Sequence, residues 1–111
     1  MKFEMNGRTF IIKEVDQKWF WEDDGKLNEM NNREHFFGRT SFNEQMICLD
    51  KNISAEQKRK TLYHELLHCY IGMYIGFSGI GEQNEEFVCD LTANSHDIIH
   101  NIVEQYFKEV K

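Results

Sequence analysis

Apolar and polar positions alternate over residues 2 to 5 and 8 to 15, on either side of Asn6-Gly7. A period of two puts one set of side chains on one face of a strand, and Asn-Gly accepts the positive φ values of a tight turn. The chain therefore opens on a predicted two-stranded hairpin. From Asp16 to Glu34 the pattern decays: Trp19, Phe20 and Trp21 are followed by Glu22-Asp23-Asp24-Gly25 and a polar run from Asn28. This predicts a short apolar segment and an exposed loop, with the aromatics plugging the core rather than forming a binding rim. Phe36 to Ser41 and Met46 to Asp50 then flank the polar turn Phe42-Asn43-Glu44-Gln45, a second predicted hairpin.

After Asp50 the period changes to that of a helix. Ser54 with Gln57 three residues on is a capping-box pattern that satisfies free amides at a helix start, so a helix is expected from about Ala55. Leu62, Tyr63, Leu66, Leu67, Tyr70, Ile71 and Tyr74 sustain it, and the glycines at 72, 76, 79 and 81 end it after Met73. Gly76 to Gly81 predicts a mobile surface loop. A second long helix is expected from near Glu82 almost to Glu109, with Phe87, Val88, Leu91, Ile98, Ile99, Ile102, Val103, Tyr106 and Phe107 on its apolar side. Glu86, Asp90, Ala93 and Asp97 fall on another stripe of it. The expected fold is α+β, one domain over 1–111, with a small N-terminal antiparallel sheet of hairpins packed on two long C-terminal helices.

Composition narrows the function classes. A hydrophobic fraction of 41% with 14% aromatics over 111 residues is enough for a packed core and argues against disorder. The formal charge of -6 gives no electrostatic reason to bind nucleic acid or an anionic membrane. The one basic run, Lys58-Arg59-Lys60, reads as the solvated first turns of a helix. Cys48, Cys69 and Cys89 are odd in number and each lies in an apolar stretch, which predicts buried free thiols in a reducing compartment. With no signal-like or membrane-length apolar run, the expected location is cytoplasmic.

The chemistry lies in His64-Glu65-Leu66-Leu67-His68, an H-E-x-x-H spacing inside the predicted helix. Residues four apart lie one above the other on a helix, so both imidazoles can face one point, and that point suits zinc. Glu65, one position on from the first histidine, can reach a water at the metal and act as general base. Chance alone produces such a spacing often enough that an H-E-L-L-H with no metal, in a core helix, is the plain alternative. The metzincin continuation is disfavoured, because Ile71 and Tyr74 stand where it needs Gly and His.

With Glu86-Phe87-Val88-Cys89-Asp90 on the following helix, the chain resembles a gluzincin. It is more closely similar to the small single-domain metallopeptidases of phages and prophages related to the ImmA/IrrE type. The resemblance covers about residues 38 to 105 and rests on Thr61-Leu62-Tyr63-His64-Glu65-Leu66-Leu67-His68 and on Glu86 to Asp90. It implies a minimal zincin-like fold and a zinc peptidase that cuts a protein or peptide, such as a repressor. His64, His68 and Glu86 would be its ligands, Glu65 its base, and Asp90 the group that orients His64. Glu85 is the rival third ligand. Cys89 stands where a small residue is usual and would fill that space. The oxyanion-stabilising donor is open among Tyr63, Tyr70, Tyr74, His96 and His100. In resembling enzymes an edge strand pairs with the substrate, and Met46 to Asp50 is expected to be that strand. The alternative is a non-catalytic, phage-type zinc-containing binding module that docks to and modulates a host protein.

Overall fold

The turn at Asn6-Gly7 takes φ values of 50° and 80°, the left-handed conformation that Asn and Gly tolerate best. It joins β1 (Lys2–Met5) to β2 (Arg8–Val15), with Phe3 opposite Phe10 and Met5 opposite Arg8. The computed structural model describes residues 1–23, 37–76 and 85–109. The Asn6 amide side chain donates to the Met73 carbonyl at 2.7 Å, and the Asn6 backbone N–H donates to the Tyr74 hydroxyl at 2.9 Å. The hairpin tip is thereby tied to residues some seventy positions away.

The stretch after β2 forms a short helix, α1 (Gln17–Asp23), where an irregular apolar segment was expected. Phe20 on α1 is buried with Met46 and Cys48 on one face of the sheet, so the aromatic does plug a core. The predicted loop from Asp24 to Glu34, and Phe36 at the predicted start of the second hairpin, lie outside the described residues. β3 (Gly38–Ser41) and β4 (Met46–Asp50) form the second hairpin, and Gln45, at φ 53°, closes its turn.

The sheet runs in the order β1-β2-β4-β3 and is mixed rather than antiparallel, because β4 pairs parallel with β2 from Ile11–Met46 to Val15–Asp50. Hairpin signals report pairing between consecutive strands only. The chain between β2 and β3 is long enough to carry the second hairpin across, so that β4 enters beside β2 in the same direction. β4 is therefore interior, and all five of its residues are buried. Asp50 at its end is a buried carboxylate with partners: the Gln17 side-chain amide donates to it at 2.9 Å and the Asn52 backbone N–H at 2.9 Å.

α2 (Ala55–Tyr70) starts as expected, with the Ser54 hydroxyl accepting from the Gln57 N–H at 3.1 Å. The Gln57 side chain does not return the bond but donates to the Thr61 hydroxyl at 3.0 Å. A π-helical turn, Ile71–Ile75, extends α2 and stops at Gly76, φ 83°. α3 (Glu85–Glu109) is the second long helix. Leu62, Leu66 and Cys69 from α2 meet Ile99, Ile102, Val103 and Tyr106 from α3 over Phe3, Met5, Phe10, Ile12, Ile47 and Leu49 of the sheet. Val88 and Ile98, expected on the apolar side of α3, are exposed instead, because the buried stripe is narrower than the hydrophobic one.

Lys58 and Arg59 are not simply solvated. Lys58 pairs with Glu14 of β2 at 2.8 Å, and Arg59 pairs with Glu104 of α3 while its guanidinium lies over the Phe107 ring. The Tyr106 hydroxyl also donates to Glu14, so this carboxylate joins β2, α2 and α3. Burial pushes the Glu14 carboxyl up, but the bonds from Lys58 and Tyr106 and the Lys58 charge outweigh it and hold the group below its ordinary value. Burial, then the bond to Glu14, raise the Tyr106 phenol. Among the described residues, no helix is long and apolar enough to cross a membrane.

Candidate metal centre

α2 carries three adjacent functional side chains with different burial. Leu62, Leu66 and Cys69 face the core, so the helix turns His64 and His68 outward to solvent, while Glu65 falls at the boundary and is 7% exposed. The two Nε2 atoms are 3.2 Å apart, with ring centroids 4.8 Å apart and planes at 78°. Two nitrogens held about 2.0 to 2.1 Å from a tetrahedral zinc stand roughly 3.3 Å apart, so the pair already has the spacing of one edge of such a site.

His64, Glu65 and His68 line one side of a cavity of about 390 Å³. Phe20 of α1, Gly38, Arg39 and Thr40 of β3, and Phe42 of the following turn line the rest. Among the described residues β3 is an edge of the sheet, paired on one side with β4 and with no strand on the other. The edge strand beside the histidines is thus Gly38–Ser41, and the expectation for Met46–Asp50 is corrected: that strand has neighbours on both sides and no free backbone to offer a peptide. The Thr40 hydroxyl donates to Glu65 Oε1 at 2.7 Å.

The candidate third ligand does not join the pair. α3 runs antiparallel to α2 in the register set by Tyr63–His100 and Arg59–Glu104. Carried along, that register sets His68 opposite Ser95, and Glu86 falls about nine positions nearer the start of α3, roughly 13 Å along the axis. Glu86 and Asp90 are exposed, and Asp90 lines a separate cavity with Tyr70, Tyr74 and Phe87. Among the described residues no three His, Cys, Asp or Glu side chains converge on one point. The side chain of Glu85, the loop from Phe77 to Gly81 and His35 lie outside the described residues.

Of the five candidate oxyanion donors, Tyr63 and His96 line a cavity of about 210 Å³ with His64. The Tyr63 hydroxyl and His100 Nδ1 are 2.7 Å apart, and the His100 ring stacks on His96 at 5.5 Å. Tyr70 lies against Tyr74, whose hydroxyl accepts from the Asn6 backbone. Cys48 and Cys69 are buried free thiols as expected, whereas Cys89 is exposed and fills no core space. Burial, with the Glu65 charge behind it, pushes the Cys69 thiol up to about 12.

Thr40, Gly38, Phe42 and Phe20 were not legible as site residues. Gly-Arg-Thr-Ser beside a turn carries no motif, and only the packing of β3 on α2 brings it to Glu65. No family model, curated protein or solved structure matches the chain. The side chains themselves carry the functional reading.

Proposed function

We propose that the chain is a zinc-dependent metallopeptidase of gluzincin type that hydrolyses a peptide bond in a protein substrate, such as a regulatory protein. The observation that supports this most is the pairing of His64 and His68 at 3.2 Å above a cavity that also holds the buried carboxylate of Glu65. The two rings hydrogen-bond to each other through Nε2, and a metal that took the place of the shared proton would meet two ring nitrogens already one helical turn apart.

His64 and His68 would hold the metal through Nε2; Glu86, the proposed third ligand, would have to cross the roughly 13 Å that separates it from His68 in this register, and Asp90, the proposed partner of His64, a similar distance. A bound zinc supplies Lewis acidity, lowering the pKa of a coordinated water toward about 7. Glu65 would take the proton of the attacking water and pass it to the leaving amine. The open edge of β3 would take an extended peptide by backbone hydrogen bonds, with little demand on its sequence, and seat one side chain in the cavity between Phe42 and Arg39.

One observation favours a second reading, a non-catalytic binding module of phage type: among the described residues no third ligand stands with the two histidines. Glu65→Gln separates the two. In the peptidase it retains one equivalent of zinc and loses about a hundredfold or more in hydrolysis of a labelled protein substrate, since general-base catalysis contributes about 10²- to 10⁴-fold. In a binding module the biological effect survives the substitution.

A further inference from the structure

We propose that Thr40 is a positioning residue for Glu65: its hydroxyl holds one carboxylate oxygen so that the other is presented to the cavity. This rests on the metallopeptidase reading of the same site.

Glu65 is attached to α2 through three rotatable side-chain bonds, which leaves its carboxylate free to swing unless something holds it. Among the described residues its one side-chain partner is Thr40, 25 positions away in sequence, at 2.7 Å from Oε1. The same hydroxyl is 3.4 Å from the Glu65 carbonyl oxygen, a much weaker contact. No buried side-chain oxygen lacks a hydrogen-bond partner among the described residues, so Oε2, which has none there, is open to solvent, and Glu65 lines both the cavity that holds the two histidines and a second one of about 270 Å³ with Phe37, Gln57 and Lys60.

β3 is placed to make this contact by its own composition. Gly38 and Thr40 are two apart and share one face of the strand. A Cβ on Gly38 would stand 2.6 Å from Thr61 Cγ2 and 3.3 Å from Glu65 Cγ, so the absence of a side chain there lets the strand approach α2. Pairing of Gly38 with Leu49 and of Thr40 with Ile47 on the interior strand then fixes the hydroxyl in register. The strand that offers its open edge to a peptide is thus the strand that holds the base. The orientation of Glu65 and the seat of the substrate backbone are referred to one element.

The test uses the full chain loaded with zinc, as wild type, Thr40→Val, Thr40→Ser and Glu65→Gln. Valine keeps the shape and strand propensity of threonine without the hydroxyl, and serine keeps the hydroxyl. The probe is acetohydroxamic acid, which chelates zinc through two oxygens as its anion, its N–OH proton passing to a carboxylate beside the metal. All four proteins are expected to hold one zinc, with Thr40→Ser melting close to wild type and Thr40→Val roughly 10 °C lower, since the bond it loses is made in the unliganded protein as well. Loss of one hydrogen bond to a charged group predicts roughly tenfold weaker acetohydroxamate binding in Thr40→Val, with Thr40→Ser within about threefold of wild type and Glu65→Gln weakest. Wild-type affinity in Thr40→Val, or equal losses in Val and Ser, overturns the positioning role alone. Failure of the wild type to take up zinc, or binding that ignores Glu65→Gln, overturns the metallopeptidase reading and this role with it.

Discussion

His64 Nε2 and His68 Nε2 stand 3.2 Å apart, one turn along the same face of α2. The contact is a ring N–H···N hydrogen bond, and a metal that displaced its proton would gain two ligands already in place. Wild-type protein is expected to take up about one zinc, and His68→Ala to take up none. Because a ligand that binds only the folded state stabilises it by about 2.7 kcal/mol at a hundred times its Kd, zinc should raise the wild-type melting temperature and chelator should lower it again. Calorimetry of both proteins with and without zinc checks this, and an unchanged wild-type melting temperature argues against the site.

Glu14 joins three elements and gives stability a pH dependence of known sign. Its folded-state carboxyl lies below its ordinary value of 4.5, so the network contributes stability above the unfolded value and loses it as pH falls through the lowered folded value. Tyr106 is raised above its ordinary 10.0, so its contribution is full below that value and falls as pH rises past it. Urea denaturation from pH 7 down to 3 should show a steeper loss in wild type than in Glu14→Gln, and Tyr106→Phe should flatten the alkaline limb.

Gly38→Ala tests how closely β3 rests on α2. The new methyl group would meet Thr61 Cγ2 at 2.6 Å and the Cys48 carbonyl at 3.2 Å, and the backbone oxygen cannot give way without moving β4. A loss of about 1 to 3 kcal/mol is expected, the usual range for overpacking, read from the urea midpoint at constant m.

The thiols should sort by burial. Cys89 is exposed, while Cys48 and Cys69 are buried and the Cys69 thiol is pushed up to about 12. An aromatic disulfide reagent is expected to label one thiol per native chain quickly and the other two only in denaturant. Fast labelling of two or three thiols in the native protein would contradict the packing of β4 on α1 and of α2 on the sheet.

Leu66, between the two histidines and wholly buried, anchors the face of α2 opposite the cavity. Leu66→Ala is expected to cost about 2 to 5 kcal/mol. Zinc should recover part of that loss, because metal and core then hold the same helix.

What the sequence determined by itself was local. Asn6-Gly7 set a hairpin turn, Ser54 set a helix start, and the change of period from two to 3.6 told the strands from the two long helices, while the seven residues of α1 are too few to show a period. The four-residue interval placed His64 and His68 on one helical face. Each of these depends on a few consecutive residues and on backbone hydrogen bonding that no distant contact needs to support.

What only the tertiary structure decided was which local pieces meet. The parallel pairing of β2 with β4, the place of Gly38–Ser41 at the open edge and the bond from Thr40 to Glu65 all join positions with no pattern between them. The register of α3 on α2 belongs with these. It is set by burial of Ile99, Ile102, Val103 and Tyr106 and by the ties Tyr63–His100 and Arg59–Glu104, and it leaves Glu86 roughly 13 Å along the axis from His68 and roughly 20 Å from His64. A motif records which residue types a site requires. Side-chain packing across the helix pair sets how far apart they stand, since the apolar faces interdigitate in one register at a time.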